Sequence, residues 1–215
     1  MKRLLITNTN YNIFQVDRSY LYKIADFIVR ENYKHHIGDT CLVNFEQEIQ
    51  YIYEEEMRYV SSSYLFVAED TQGDLIGCIR VMAWDRHSIL PIQKIFDIDP
   101  LKELHNSNQF SFWHVGRFAV HSCCNASSLI LFKQLMMLAI HPIVSHTNSY
   151  MLAESDSKLL RIMRMLSIDV KTLGRGCVYL GSDTIPIYSS SEGLRTFYKK
   201  YELLLISENS KQKVA

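Results

Sequence analysis

The sequence predicts an α+β fold, an α/β three-layer arrangement in which a mixed, mostly antiparallel central sheet carries helices on both faces. Two amphipathic helices come first, a hairpin with a hydrophobic period of two follows, and strands then alternate with helices. One helix lies between two strands, so we expect that strand pair to be parallel. With 215 residues, 47% of them hydrophobic, the chain can bury one substantial core. We therefore expect a single domain over residues 1–205 and a polar tail over 206–215.

The N-terminal part predicts one strand and two helices. Residues 3–16 are typical of a single irregular strand. Apolar residues at helical spacing predict a helix over 19–33. Asn44, followed three residues later by a glutamine, resembles a capping box and predicts a second helix over 44–60. The glutamate run at 54–56 is expected on the solvated face of that helix.

The period of two then indicates a hairpin, because "SYLFVAED" and "LIGCIRVMAW" flank the polar turn "TQGD". A loop containing "LPIQKIFDIDP" leads to a strand over 110–121 and an apolar helix from about Ser127, which Pro142 should kink or end. The remaining predicted elements are a strand at 149–155, a helix at 157–166, a strand at 169–174, one strand at 177–189 and a helix at 192–205.

Composition excludes several classes of function. Lysine plus arginine and aspartate plus glutamate number 23 each, so the chain lacks the basic surplus of a nucleic-acid-binding protein. No apolar run approaches the ~18 residues of a membrane span, and polar residues interrupt the N-terminus before a signal core could form. We expect a cytoplasmic protein without an integral membrane segment.

The cysteines indicate neither disulfides nor zinc. The chain has five, an odd number, and none is spaced as CxxC. The adjacent pair Cys123 and Cys124 lacks a neighbouring base, which favours small filling residues over nucleophiles. We therefore expect no metal site and no catalytic cysteine.

The segment "FWHVGRFAVH" at 112–121 combines a buried apolar strand with two polar side chains, His114 and Arg117. Burying either group is costly unless it has a partner. Strict alternation places His114 and Phe118 on one face of the strand and Trp113 and Arg117 on the other. The two polar groups should therefore have different partners.

These features resemble the GNAT superfamily of acyl-CoA-dependent N-acyltransferases over roughly residues 15–190. "GCIRV", a "LP" and Phe loop ending at Phe96, and "HVGRFAV" resemble more narrowly the branch of acyl-homoserine-lactone synthases and N-acyl amino acid synthases. That branch typically has Glu-x-x-Arg-Phe in its fourth strand, and the matching positions here are His114, Arg117 and Phe118. The branch's third-strand arginine matches Arg80. A histidine thus stands where the branch has an acid.

The resemblance implies transfer of a fatty acyl group from a phosphopantetheine thioester to the amine of an amino acid or similar small molecule. The donor would be acyl carrier protein or acyl-CoA as a cosubstrate, with no tightly bound cofactor. Acetyl-CoA-binding members have a glycine-rich loop that is missing from "HSCCNASSL" here, which favours the carrier protein. The amides of a helix N-terminus can still hold one phosphate, and the residues expected there are Asn125, Ser127 and Ser128.

The resemblance also implies roles for individual residues. A backbone amide near a bulge, among Phe118, Ala119 and Val120, would stabilise the oxyanion. Arg80 and Arg117 would either organise the acceptor site, holding a carboxylate, or form structural salt bridges to acids such as Glu69 or Glu154. The chain also lends itself to two other functions, an acetyl-CoA-dependent small-molecule acetyltransferase and a non-catalytic acyl-binding module.

Proton transfer, substrate binding and docking complete the predicted site. His114 is the first candidate for the proton acceptor, since histidine is the side chain that changes charge near neutral pH; a core histidine bonded to backbone or a carboxylate is the alternative. Glu69 and Glu154 are further candidates. The residues expected against the substrate are Phe96, Trp113 and Glu154. A basic face at Lys158, Arg161 and Arg164 could receive an acidic helix of the carrier protein.

Overall fold

The computed structural model describes residues 1–36, 45–104, 107–121, 126–179 and 182–205, which form nine strands and seven helices. The chain divides into two compact units that are interleaved along the sequence. The first unit contains Met1–Arg80, Arg117–Ala139 and the chain from Tyr201, and the second contains Val81–Gly116 and Ile140–Lys200. Two strands and two helices contribute residues to both units.

The elements occur largely in the predicted order along the chain, with the following bounds. The strands are β1 (Lys2–Thr7), β2 (Tyr11–Val16), β3 (Ser63–Asp70), β4 (Leu75–Ala83), β5 (Ser111–Val120), β6 (Ser149–Asp156), β7 (Lys171–Thr172), β8 (Cys177–Tyr179) and β9 (Ser182–Ser190). The helices are α1 (Leu21–His36), α2 (Phe45–Tyr59), α3 (Pro91–Phe96), α4 (Pro100–Glu103), α5 (Ala126–Val144), α6 (Ser157–Met165) and α7 (Ser191–Tyr201). The two N-terminal helices, the hairpin and the later alternation of strands and helices are confirmed. The predicted cap Asn44 lies outside the described residues.

In the first unit, β1, β2, β3 and β4 are neighbours in that order, and the end of β5 lies beside β4. The prediction of one irregular strand over 3–16 is wrong, because the segment forms the antiparallel pair β1 and β2. The Asn8 amide donates to the Tyr11 carbonyl at 2.9 Å and closes a turn between the two strands. The asparagines at 8 and 10 favour such a turn over a continuous strand.

The core of the first unit lies between α1, α2 and the strands β2 to β5. Its buried members are apolar residues at helical spacing in the helices and alternating residues in the strands. Gly77 on β4 allows a close approach, since a Cβ there would lie 3.0 Å from a side-chain carbon of Leu135 on α5. Gly73 has φ +90° and supplies the left-handed residue of the β3–β4 turn.

In the second unit, β5 pairs in parallel with β6, as expected for two strands joined through α5. Strand β9 runs antiparallel to β6, and the short strands β7 and β8 both pair with β9. The prediction of one strand over 177–189 is wrong, because its two ends, β8 and β9, pair with each other. The mixed, mostly antiparallel sheet of the predicted fold class is confirmed.

Two helical segments differ from the prediction. The loop around "LPIQKIFDIDP" contains the short helices α3 and α4, each with a proline in its first turn, where the missing amide is tolerated. Helix α5 continues past Pro142 to Val144, so the proline does not end it at once. No helix within the described ranges has both the length and the apolarity that crossing a membrane requires.

Candidate active site

Four charged side chains of the first unit form a cluster, here called the four-charge cluster: Glu55 and Glu56 of α2, Arg80 of β4 and Arg117 of β5. The Arg117 Nε donates to Glu56 Oε1 at 2.7 Å, and the Arg117 Nη2 contacts the Glu55 carboxylate. Arg80 Nη1 lies 3.1 Å from the same Glu56 oxygen. The side chains of Arg80 and Glu56 are only 1% and 2% exposed. Two positive charges are thus balanced by two negative charges inside the unit.

The electrostatics of the cluster favour the charged forms of Glu56 and Arg117. Burial alone would raise the pKa of the Glu56 carboxyl, but the charges of Arg80 and Arg117 outweigh burial and hold that pKa below its ordinary value. Burial would likewise lower the pKa of the Arg117 guanidinium, yet Glu56 and Glu55 raise it well above its ordinary value. The guanidinium carbon of Arg80 also lies 5.2 Å from the ring centroid of Tyr59.

The cluster corrects two sequence predictions. The glutamate run was expected on a solvated face, but only Glu54 is exposed, whereas Glu55 and Glu56 are buried. Helical spacing could have indicated this, because Glu56 lies on the same stripe as the buried Ile49, Ile52 and Tyr59 of α2. The expected salt-bridge acids Glu69 and Glu154 are also not the partners of the arginines. Glu69 pairs instead with Lys2 and Lys23.

A bulge in β5 begins at Arg117. The Trp84 amide donates to the Phe112 carbonyl, and the His121 amide donates to the Ile76 carbonyl. Nine residue steps separate Phe112 from His121, but only eight separate Ile76 from Trp84, so β5 has one residue more than β4. Arg117 has φ 55°, in the left-handed region. The bulge therefore lies beside the residues predicted to carry the oxyanion donor, and it interrupts the alternation of faces predicted for the strand.

Cys78 of β4 contacts the bulge from the opposite strand. Its Sγ donates to the Arg117 carbonyl at 3.2 Å. Burial raises the pKa of the Cys78 thiol to about 12, against a smaller opposing effect of a hydrogen bond from the Ala119 amide. The thiol therefore stays protonated at neutral pH.

The second unit holds a histidine–carboxylate pair. His114 Nε2 lies 3.0 Å from Glu154 Oε2 and 3.2 Å from Oε1. The His114 side chain is 1% exposed, whereas that of Glu154 is 13% exposed. The sequence predicted that His114 and Arg117 have different partners, and this is confirmed. Their partners come from β6 and from α2, respectively.

The other predicted site residues have separate surroundings. Trp113 is buried, and its ring lies 5.9 Å from that of His146. Phe96 is half-buried at the end of α3, and Ser128 lies in the first turns of α5. Asn125 lies outside the described residues, as does the side chain of Ser127. Within the described part of the chain, no group of three or more His, Cys, Asp or Glu side chains is arranged to hold a metal ion.

Comparison of the whole chain with known proteins identifies its fold. No protein-family model and no curated protein sequence matches the chain. Among solved structures, the chain is similar to FeeM, an N-acyl amino acid synthase from uncultured soil microbes. The two sequences are 14% identical, with 91% of this chain and 99% of that chain covered and a TM-score of 0.60.

Two further structures agree. The AHL synthase LasI is 15% identical, with 88% of this chain and 94% of that chain covered at a TM-score of 0.53. An acetyltransferase of the GNAT family from Staphylococcus aureus Mu50 is 14% identical, with 83% and 98% covered at a TM-score of 0.51. At these identities the similarity shows the fold, and the chain has the GNAT fold. Within that fold, it is similar to acyl-homoserine-lactone and N-acyl amino acid synthases over about nine tenths of its length.

Proposed function

We propose that this protein is a cytoplasmic N-acyltransferase that moves a fatty acyl group from a phosphopantetheine thioester to the amine of an amino acid or similar small molecule. The observation that carries the proposal is the His114–Glu154 pair, with its 3.0 Å contact on adjacent strands of a GNAT fold. The similarity to FeeM, an N-acyl amino acid synthase, and to LasI, an AHL synthase, supports the same chemistry. A histidine thus replaces the acid of the branch and has a carboxylate as its partner.

The reaction needs a neutral amine, an oxyanion donor and a proton acceptor. The amine nitrogen attacks the thioester carbonyl carbon, a C–N bond forms, and the C–S bond breaks to release the thiolate. The attacking nitrogen loses one proton, which we assign to the His114–Glu154 pair. Glu154 is its more exposed member, so the proton would enter at the Glu154 carboxylate and be shared with the buried His114. Positioned acid–base groups contribute roughly 10²–10⁴-fold to such steps.

The arginines have a different task in this proposal. Glu55 and Glu56 already balance the charges of Arg80 and Arg117, which favours an organising role over direct binding of an acceptor carboxylate. The cluster would hold α2, β4 and β5 together around the bulge. The oxyanion would then be stabilised by a backbone amide of β5 that follows the bulge, since a fixed dipole needs no reorganisation during the reaction.

The donor is proposed to be acyl carrier protein in preference to free coenzyme A. Helix α6 exposes Lys158, Arg161 and Arg164 on its surface, and Met165 beside them is 74% exposed. A basic face with an apolar residue suits an acidic carrier helix. Reversing both arginines to glutamate should raise the KM for acyl carrier protein at least tenfold while the KM for acyl-CoA stays the same. The matched control reverses Lys199 and Lys200 on α7; an equal KM increase in the control would contradict specific docking.

One experiment tests the function itself. The protein is incubated separately with acyl carrier protein thioester, acyl-CoA and acetyl-CoA, each with a pool of amines, and free thiol and product mass are followed. Thiol release with an acylated amine from a long-chain donor is the expected result. Activity with acetyl-CoA alone would indicate a small-molecule acetyltransferase. Acyl-chain binding without thiol release would indicate a non-catalytic module.

A further inference from the structure

Arg117 combines two unusual features at one position of β5. Its φ of 55° is energetically unfavourable for an L-amino acid that has a Cβ atom. Within the described strands, Arg117 is the one residue other than glycine with a positive φ. The other non-glycine residues with positive φ, Arg86, Asp97, Asn148 and Ser167, lie outside the strands. A strained conformation inside a strand persists when its surroundings hold it.

The surroundings of Arg117 hold it from two directions. Its guanidinium is bound by Glu56 and Glu55 of α2, with the Nε to Oε1 distance at 2.7 Å. Its carbonyl accepts from the Cys78 Sγ of β4. The side chain of the bulge residue is therefore fixed to a helix while its backbone is fixed to the neighbouring strand.

The bulge determines where the following amides point. The His121 amide is directed at β4, where it donates to the Ile76 carbonyl at 2.9 Å. Successive amides of a strand point in opposite directions, so those of Phe118 and Val120 point away from β4. The register of β5 with β6 extends only from Ser111 to His114. Of the three candidate oxyanion donors, Phe118 and Val120 are thus favoured over Ala119.

We infer that Arg117 is a positioning residue, whose salt bridges to Glu55 and Glu56 hold the left-handed bulge and so set the direction of the Phe118 and Val120 amides. This inference rests on the proposed function for its catalytic meaning, because those amides would stabilise the oxyanion. Arg117 itself contacts no substrate in this scheme. Its role is to keep a strained backbone in the conformation that the reaction uses.

Two matched variants separate the effect of the backbone conformation at position 117 from the effect of losing the Arg117 charge. Removing Arg117 alone would leave a buried negative charge, so both variants carry Glu55→Gln, which restores the balance with Arg80. Arg117→Gly then keeps free access to positive φ, whereas Arg117→Ala does not. Both lose the same salt bridges and the same charge. The expected kcat of the glycine variant is about tenfold higher than that of the alanine variant, with donor KM values within about twofold of each other.

A backbone measurement keeps this inference distinct from the proposed function. The amide NMR resonances of residues 118–120 should shift from their wild-type positions more in the alanine variant than in the glycine variant. Equal kcat values for the two variants, or unchanged resonances in the alanine variant, would overturn the positioning role. An inactive wild-type protein would overturn the proposed function alone, and the resonances would then still test whether Arg117 holds the bulge. Circular dichroism shows that each variant is folded before either comparison is made.

Discussion

The two halves of strand β5 carry polar groups of different kinds. The first half contributes His114, which forms a pair with the partly exposed Glu154. The second half contributes Arg117, which belongs to a cluster of four fixed charges with two members almost fully buried. The proposed proton transfer uses the first group, whereas the second is held in ion pairs with Glu55 and Glu56.

The two regions of β5 are suited to different roles: the four-charge cluster to a structural role and the His114–Glu154 pair to the proposed proton transfer. Arginine stays protonated in proteins, and the pKa of Glu56 is held below its ordinary value by Arg80 and Arg117, so Glu56 stays ionised beside the two arginines near neutral pH. Such a cluster suits a structural task. Histidine changes charge near neutral pH and therefore suits proton transfer. Substitutions in the two regions should accordingly affect different measured quantities.

Removal of Glu56 should give the largest effect, and the effect should be on stability. Glu56→Ala leaves the buried Arg80 and the half-buried Arg117 with one carboxylate between them, and breaking a buried ion pair in this way costs about 3–5 kcal/mol. Urea unfolding followed by circular dichroism measures the loss. The control is Glu54→Ala, at an exposed position of the same helix, which should change the free energy of unfolding by less than about 0.5 kcal/mol. Equal losses in both variants would contradict the structural role of the cluster.

Glu154→Gln should act mainly on turnover. The amide keeps the shape of the side chain but cannot accept a proton, so kcat is expected to fall about 100-fold while the KM for the acyl donor changes little. The loss of stability should stay near 1 kcal/mol, because the hydrogen bond to His114 can be kept. His114→Gln is the companion variant. A wild-type kcat in both variants would contradict the proposed proton transfer and indicate that the His114–Glu154 pair is only structural.

Acid should weaken the first unit through Glu56. The pKa of this carboxyl is lower in the folded protein than its ordinary value of 4.5, so the stability it contributes is present above that value and is lost as the pH falls through the folded pKa. The free energy of unfolding should therefore decrease with falling pH below about 4.5. In Glu56→Gln, this decrease should be smaller, as urea unfolding at several pH values would show. An identical pH dependence would mean that other carboxyls control acid unfolding.

Cys78→Ala should give the smallest effect of the four. The thiol makes one weak hydrogen bond to the Arg117 carbonyl and remains protonated with a pKa of about 12. We expect a loss of about 1 kcal/mol in stability and a change in kcat of less than about threefold. Cys177→Ala, at a half-buried position, is the matched control. Loss of all turnover in the Cys78 variant alone would indicate covalent catalysis.

The fold was predictable because its signals are local. Helical spacing, the period of two around Gly73 and one helix between two strands were enough to predict a mixed sheet with one parallel pair. Errors arose where short elements depend on tertiary pairing. Strands β1 and β2 have only six residues each and β8 has three, which is too short for hydrophobic periodicity to separate β1 from β2 or β8 from β9.

The site was predictable only in part. A polar residue in an apolar strand indicates that a partner exists, and the structure shows such partners for His114 and Arg117. Arg80 was named from the family resemblance alone. The partners could not be read from that strand, because Glu55 and Glu56 are 61 or more residues away along the chain. The left-handed conformation at position 117 had no sequence signal, because glycine is the residue that usually indicates such a conformation and an arginine occupies the position instead.

The interleaving of the two units has a consequence for how the chain folds. The first unit is assembled from three separate stretches of sequence, and Gln134 Nε2 donates to the Leu204 carbonyl across 70 positions. Its polar contacts therefore cannot be completed until nearly all of the described chain has been synthesised. Proteins dominated by such distant contacts fold slowly, because the entropy of closing long loops is lost before the stabilising contacts form. Early fragments of this chain should thus remain only partly structured on the ribosome.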